Sequence, residues 1–322
     1  RDLVGVRETI RPYLMEQMEE ASRTGSPVMR PLLFDFPEDP EVWAVGDQYM
    51  FGPDLLVAPV VEYGARSRRV YLPEGSRWTR STVADYLGRR IARGERLLAG
   101  FDFAFGFPWI EGEGYLAQRV PHITDAFALW ELIEQASADA PDFHAGPLVT
   151  HPDFAPSYWV SGKQKPEWRN DKRRTETACG EATSTYPETV FKLIGAKQVG
   201  KAALAGIRTL RAIRLAAPAQ VAVWPFEDAD KPAVLAEIYP TLFRRQALGS
   251  TAKIKDRATL NTALAALDSG PAQATPERLT DHEGDALISA AGLRWLDRAG
   301  KLFALPEEAE AQARREGWIV GV

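Results

Sequence analysis

Hydrophobic residues near the start of the chain recur every four positions, with Arg and Glu between them. The recurring residues are Val6, Ile10, Leu14 and Met18. Because four residues are close to one helical turn, these side chains share a face and predict an amphipathic helix over residues 4–23. Gly25 and Pro27 then stand where a helix ends.

After this helix the pattern changes to short apolar runs closed by Pro, Gly and Asp. The runs cover residues 28–36, 48–51, 55–60 and 67–72. Runs of this length with regular turns predict part of an antiparallel β-sandwich.

From residue 80 onwards, short apolar runs alternate with longer amphipathic segments. The runs predict strands at 96–103, 189–194, 221–224, 234–238 and 318–322. The amphipathic segments predict helices at 83–93, 124–138, 171–179, 202–215, 255–267, 282–296 and 307–317. Strands alternating with helices predict an α/β fold, with a mixed sheet and flanking helices. The change in pattern predicts two domains, residues 1–79 and 80–322.

Composition and charge exclude several classes of protein. The chain has 322 residues, of which 45% are hydrophobic, and a net charge of −5. Nucleic-acid binding by overall charge is therefore disfavoured, whereas a local basic patch stays open. No apolar run approaches the 18 residues of a membrane helix, so no membrane partner is expected. The single cysteine, Cys179, excludes a disulfide framework and a Cys-based zinc site.

The beginning of the chain bears on its location and completeness. The first residue is Arg1, and no signal peptide follows. We therefore expect a cytoplasmic protein whose chain is cut from something longer.

Four segments near the N-terminus carry a family resemblance. They read Pro-Val-Met-Arg-Pro-Leu at 27–32, Phe-Pro-Glu-Asp-Pro at 36–40, Asp-Gln-Tyr-Met-Phe-Gly-Pro-Asp-Leu-Leu-Val-Ala-Pro-Val at 47–60 and Gly-Ala-Arg-Ser-Arg-Arg-Val-Tyr-Leu-Pro at 64–73. Together they resemble glycoside hydrolase family 31, which includes α-glucosidases and α-xylosidases. The resemblance implies that residues 1–79 are the last barrel helix and the start of a C-terminal β-sandwich.

The resemblance also implies what this segment lacks. The family uses two carboxylates, a nucleophile and an acid/base about 5 Å apart. Its nucleophile lies in a Trp-x-Asp-Met-Asn-Glu-like motif upstream of the matched stretch, and no such motif occurs here. A link to carbohydrate therefore rests on ancestry alone. Asp39, Asp47 and Asp54 stand beside Pro or Gly and are interpreted as turn residues.

Residues 80–322 resemble a different family. The segments are Gly-Phe-Asp-Phe-Ala-Phe-Gly-Phe-Pro at 100–108, Glu-Ile-Tyr-Pro at 237–240, Asp-His-Glu-Gly-Asp-Ala-Leu at 281–287 and Arg-Glu-Gly-Trp-Ile at 315–319. They look like domain-of-unknown-function family 429 and its bacterial relatives. The resemblance implies a ribonuclease-H-like fold. Such relatives typically begin with an additional strand that carries an Asp in a Val-Asp-Trp-Ser-like motif, and no such motif occurs in this sequence.

Four carboxylates form the candidate site of this domain. Asp102 and Glu237 each lie near the end of an apolar strand, and Asp281 and Asp285 share one helical face. Carboxylates that converge in this way can hold two divalent metals. We therefore predict Asp102, Glu237, Asp281 and Asp285 as ligands of Mg²⁺ or Mn²⁺, with no organic cofactor. The predicted catalytic residues for phosphodiester hydrolysis are Asp102, Glu237 and Asp285.

Structural alternatives exist for each of these residues except Asp102. Asp281 can cap its helix, and Asp285 can interact favourably with the helix dipole. Glu237 can be the partner of a buried Arg or Lys.

A phosphate-binding loop is a second candidate. Gly-Ala-Lys-Gln-Val-Gly-Lys-Ala at 195–202 nearly matches Gly-x4-Gly-Lys-Ser/Thr, but its last position lacks the hydroxyl that binds Mg²⁺. Lys197 and Lys201 are predicted to bind a phosphate of a nucleic acid or a phosphorylated small molecule. The alternative is a solvated basic helix face, extended by Arg208, Arg211 and Arg214.

Two functions follow from these observations. The first is a hydrolase-derived chain with a glycosidase-like N-terminal part and a body capable of metal-dependent phosphodiester hydrolysis. The second is a non-catalytic fusion or truncated chain in which neither active site is complete.

Overall fold

The computed structural model describes residues 3–37, 39–65, 68, 70–71, 73, 79–116, 119–163, 168–195, 199–272, 275 and 277–322. The chain forms two compact units, Arg1–Trp78 and Thr79–Val322. Within the described part of the chain, no helix combines the length and the apolar character needed to cross a bilayer.

The N-terminal unit consists of one long helix and a small antiparallel sheet. Its elements are α1 (Leu3–Thr24), β1 (Met29–Pro31), α2 (Leu32–Asp35), a 3₁₀ helix (Pro40–Ala44), β2 (Tyr49–Phe51) and β3 (Leu55–Val57). The sheet has the order β1-β2-β3, and Leu32, Val42 and Met50 form its buried core. The predicted helix is confirmed, but the run at 28–36 is a strand only in its first half. Half of the run at 67–72 lies outside the described residues, and its described residues 68, 70 and 71 belong to no strand.

The C-terminal unit surrounds a three-stranded parallel sheet with helices. The strands are β4 (Leu97–Phe101), β5 (Val221–Val223) and β6 (Ala233–Glu237), in the order β4-β6-β5. The helices are α3 (Arg80–Ala92), α4 (Ala126–Gln135), α5 (Gly146–Thr150), α6 (Arg174–Thr183), α7 (Gly200–Ala216), α8 (Pro240–Leu248), α9 (Arg257–Ala266), α10 (Asp281–Arg298) and α11 (Glu310–Glu316). Three 3₁₀ helices join them, at Pro141–Phe143, Ala155–Ser157 and Glu307–Ala309. The chain is therefore a mixed α/β protein, as the alternating pattern predicted.

The central strand β6 is buried on both of its faces. Ala233 and Leu235 belong to a core cluster shared with α3, α4 and α7. Val234 and Ala236 belong to a second cluster shared with α8, α9 and α10. Helices on both faces are the usual setting of a parallel sheet, and they explain why the strand sequence is continuously apolar.

Two strand predictions are wrong. Residues 189–194 form a turn, in which the Lys192 N–H donates to the Thr189 carbonyl (3.2 Å), and only one isolated bridge joins Lys192 to Trp159. Residues 318–322 contribute one parallel bridge, between Ile319 and Glu237. Both runs are apolar because they are buried. A short apolar run signals burial, but it does not specify a strand partner.

Candidate functional site

The carboxyl edge of the parallel sheet gathers the residues of the candidate site. Phe101 of β4 and Glu237 of β6 are register partners, and the Ile238 N–H donates to the Phe101 carbonyl (3.0 Å). Asp102 follows β4 directly and therefore lies at the same edge as Glu237. Ligands of open α/β sheets bind outside this edge.

Glu237 is the partner of a buried arginine. Its Oε1 accepts from Nη2 of Arg173 (2.5 Å), and its Oε2 accepts from Nη1 of Arg173 (2.7 Å) and from the Phe105 N–H (3.0 Å). Arg173 is 1% exposed and also donates to Glu176. Burial alone lowers the pKa of Arg173, but Glu237 and Glu176 raise the pKa more, so the guanidinium stays charged. Each oxygen of Glu237 thus has a donor, which agrees with the structural alternative for this residue.

Asp285 is paired with two cations. It lies in α10, where Oδ1 accepts from Arg244 and Oδ2 from Lys253. Arg244 is itself held by Thr241, whose Oγ1 accepts from Nη2 (2.7 Å). The Asp285 carboxylate therefore connects α10, α8 and the segment that follows α8.

Asp281 lies apart from this network. Its carboxylate is exposed and lies 3.7 Å from Nζ of Lys255. It does not cap α10, as one structural alternative held, because Thr280 has that role. The Thr280 hydroxyl accepts from the Glu283 N–H (3.2 Å), and the Glu283 carboxylate accepts from the Thr280 N–H (2.7 Å).

Asp102 differs from the other three carboxylates. Among the described residues, no donor forms a hydrogen bond or an ion pair with it. Although the residue is exposed, the surrounding protein raises the pKa of its carboxyl group to about 6. Desolvation by the protein atoms around the carboxyl group is the main cause, even though the residue keeps contact with solvent. Asp285 and Glu237 also raise the pKa, whereas Lys253 and Arg244 lower it. Solvent screens part of these interactions at an exposed group.

The four candidate carboxylates suit a metal ion that binds together with the substrate better than a site in which the protein supplies most of the ligands. In the described ranges, no group of three or more His, Cys, Asp or Glu side chains lies close enough to hold a metal. Arg173 occupies Glu237, and Arg244 and Lys253 occupy Asp285, so Asp102 is the one of these three carboxylates whose oxygens accept no hydrogen bond from the described residues. Mg²⁺ is commonly held by one or two carboxylates together with waters and substrate phosphates. Asp102 suits that arrangement, and a two-metal site stays a prediction.

The candidate phosphate loop has a packing explanation. A Cβ on Gly200 would lie 2.2 Å from the Val190 carbonyl oxygen, so this position requires glycine whatever the loop binds. Lys201 is exposed at the start of α7, and Lys197 lies outside the described residues.

The arginines that were expected to extend a solvated basic face of α7 do not form one. They pair with acids, Arg208 with Glu134, Arg211 with Glu131 and Arg214 with Glu227.

No sequence pattern indicated the cations that organise this edge. Arg173 stands in a charged stretch that resembles a solvated surface, and Arg244 and Lys253 are ordinary positions of a basic helix and loop.

Cys179 is also buried nearby, and burial raises the pKa of its thiol to about 12. This thiol is therefore unreactive at neutral pH.

Comparison with known proteins finds relatives for part of the chain. The family model for the glycosyl hydrolase family 31 C-terminal domain matches residues 25–97. The 1,3-alpha-isomaltosidase of Kribbella flavida is 45% identical over 75 residues, which are 23% of this chain and 10% of that protein. The sulfoquinovosidase of Agrobacterium fabrum is 38% identical over 92 residues, which are 29% and 13%. Human neutral alpha-glucosidase AB is 42% identical over 79 residues, which are 24% and 8%.

The chain thus spans about a tenth of the length of these relatives. No solved structure matches the chain. Residues 25–97 therefore have a glycosidase-like origin and resemble the C-terminal domain of glycoside hydrolase family 31.

Proposed function

We propose that the C-terminal unit hydrolyses phosphoesters, with Asp102 as its catalytic carboxylate. One observation carries this proposal. Of the four candidate carboxylates, Asp102 alone has no cationic partner among the described residues, and it lies at the sheet edge where ligands of α/β proteins bind. The proposal includes the ribonuclease-H-like fold for this unit. The substrate class is a nucleic acid or a phosphorylated small molecule.

The chemistry follows from the pKa and the surroundings of Asp102. A carboxyl group with a pKa of about 6 is largely ionised at neutral pH, and it is a stronger base than an ordinary aspartate. It can therefore accept the proton of a water molecule that attacks phosphorus. Mg²⁺ or Mn²⁺, when bound, would polarise the phosphoryl group and lower the pKa of water. Glu237 and Asp285 act as positioning residues, because they hold Arg173, Arg244 and Lys253 around this edge.

A metal titration tests this proposal directly. Calorimetry of the full chain with MnCl₂ should show uptake, and Asp102→Asn should weaken that uptake about tenfold or more, since it removes a charged ligand. Asp281→Asn is the matched control, because it removes the same charge from an exposed residue outside the network. Hydrolysis of bis(4-nitrophenyl) phosphate in Mn²⁺ should follow the same order. Absence of Mn²⁺ uptake at millimolar metal, or equal uptake by Asp102→Asn, would instead favour the non-catalytic alternative.

The glycosidase-like segment contributes no sugar chemistry of its own under this proposal. Its relatives include a 1,3-alpha-isomaltosidase and an alpha-glucosidase, but it corresponds to a C-terminal piece of them. Carbohydrate is therefore not proposed as a substrate of this chain.

A further inference from the structure

The outer edge of β4 has no strand partner among the described residues. In a parallel pair, the N–H and C=O of one residue point to the same side. The Leu97 N–H donates to the Pro232 carbonyl (3.2 Å), and the Phe101 carbonyl accepts from the Ile238 N–H (3.0 Å). Residues 97, 99 and 101 therefore face β6, whereas Leu98 and Gly100 direct their backbone groups to the open edge. All residues of β4 are partly exposed, whereas those of β5 and β6 are buried.

This edge is self-complementary. If two copies of β4 pair in antiparallel fashion about Ala99, Leu98 lies opposite Gly100 of the second copy. These are the residues whose N–H and C=O groups point outward, so each Leu98–Gly100 pair exchanges two hydrogen bonds. The same register places Arg96 opposite Asp102 of the second copy. In the described part of the chain, neither Arg96 nor Asp102 has an ion-pair partner, so their opposite charges can pair across the edge.

A cavity beside β4 supports the same arrangement. It has a volume of about 560 Å³, and Gly100, Ile238, Ala286, Leu293 and Phe303 are among its lining residues. Ile238 and Leu293 already cover the backbone of Gly100, because a Cβ there would lie 2.8 Å from Cγ2 of Ile238 and 2.9 Å from Cδ1 of Leu293. Directly opposed residues of an antiparallel pair project to the same face. Leu98 of the second copy would therefore project to the face of the sheet on which this cavity lies.

We propose that two copies of this chain associate through antiparallel pairing of β4 with β4, about a twofold axis at Ala99. The pairing joins two three-stranded sheets into one, with two reciprocal Arg96–Asp102 ion pairs. Open sheet edges are ready templates for such pairing. The pairing engages the carboxylate that the proposed hydrolysis leaves open, so Arg96 of the second copy and a metal ion would compete for Asp102. The inference itself uses the charge of Asp102 and no step of the hydrolysis.

Sedimentation velocity of the full chain, from about 1 to about 100 µM, tests the pairing. The wild type should form a dimer. Arg96→Glu should raise the dissociation constant about tenfold or more, because it opposes two carboxylates across the edge. Asp102→Arg should do the same by opposing two cations. The double variant Arg96→Glu/Asp102→Arg should restore the dimer, which a folding defect could not do.

Lys163→Glu is the matched control, because it reverses an exposed charge in another segment and should leave the dimer intact. A monomer throughout this range would overturn the proposal. So would a dimer that Arg96→Glu does not weaken, or a double variant that stays monomeric. Circular dichroism of each variant establishes that it is folded. A wild-type protein that forms the dimer but takes up no Mn²⁺ would contradict only the proposed hydrolysis.

Discussion

Arg173 carries its charge inside the C-terminal unit, where both Glu237 and Glu176 compensate it. Removing one partner of a buried pair costs about 3–5 kcal/mol, because the other charge stays buried without compensation. We expect Glu237→Gln to lower the free energy of unfolding by less than this range, because Glu176 still compensates the charge of Arg173. Arg173→Met should lower it further, since that change leaves two buried carboxylates. Urea denaturation of the full chain measures both values.

The double variant Arg173→Met/Glu237→Leu tests whether the stabilisation comes from the ion pair or from the packing of the two side chains. Well-packed apolar residues often replace a buried ion pair at little cost, so the double variant should be more stable than Arg173→Met. Glu176 still carries its charge in this variant, which limits the recovery. Additive losses would show that Arg173 and Glu237 do not interact energetically, contrary to the structure.

The ionised carboxylate of Asp102 lowers the stability of the folded protein, in contrast to the paired carboxylate of Glu237. The folded protein raises the pKa of the Asp102 carboxyl group from 3.8 to about 6. Between these two pKa values the folded state keeps the proton that the unfolded state has released. The free energy of unfolding therefore falls as the pH rises from about 4 to about 6 and is constant above that. Asp285, Glu237, Lys253 and Arg244 are the charged groups that face it. Asp102→Asn should therefore raise Tm at pH 8 by about 1–2 °C in dilute protein. At pH 4 the two proteins should melt together, and a stabilisation that persists there would contradict the assignment.

The helix α10 presents Asp285, and its N-terminus is fixed by a reciprocal capping box between Thr280 and Glu283. Loss of a capping hydroxyl typically costs about 1 kcal/mol. We expect Thr280→Ala to lower the free energy of unfolding by this amount in urea denaturation. Thr262→Ala is the control, because Thr262 is exposed within α9 and alanine favours the helix there. Equal effects of the two changes would argue against the capping box.

Local signals made some elements predictable and left others hidden. The predicted helix at 282–296 corresponds to Asp281–Arg298 because its apolar spacing is long and regular. The strand β4 was predicted because turn residues close its apolar run. The helix α8 was missed, since its pattern is short and begins at Pro240 directly after a strand. The cations around Glu237 and Asp285 come from distant parts of the chain, so no local pattern predicts them.

At the scale of the whole molecule, the stretch that matches the family model and the first compact unit end at different residues. The match ends at residue 97 and so includes α3, whereas the first compact unit ends at Trp78. Ala84 and Ile91 of α3 are buried in a core cluster that also contains Ile207 and Leu210 of α7. Helices that share a core fold together. The glycosidase-like residues 79–97 therefore fold as part of the C-terminal unit.

This division leads to a prediction about sugar chemistry. A retaining glycosidase needs two carboxylates about 5 Å apart, one as nucleophile and one as acid/base. In the N-terminal unit, Asp39 accepts from the Tyr71 hydroxyl (2.9 Å) and caps a 3₁₀ helix, and Asp47 pairs with Arg68 (2.5 Å). These carboxylates hold turns in place. We therefore expect no release of 4-nitrophenol from 4-nitrophenyl α-glucoside or α-xyloside above the rate in buffer, with an active α-glucosidase as the positive control. Release proportional to protein concentration and abolished by Asp39→Asn would contradict this expectation, because it would mean that these carboxylates act on the sugar.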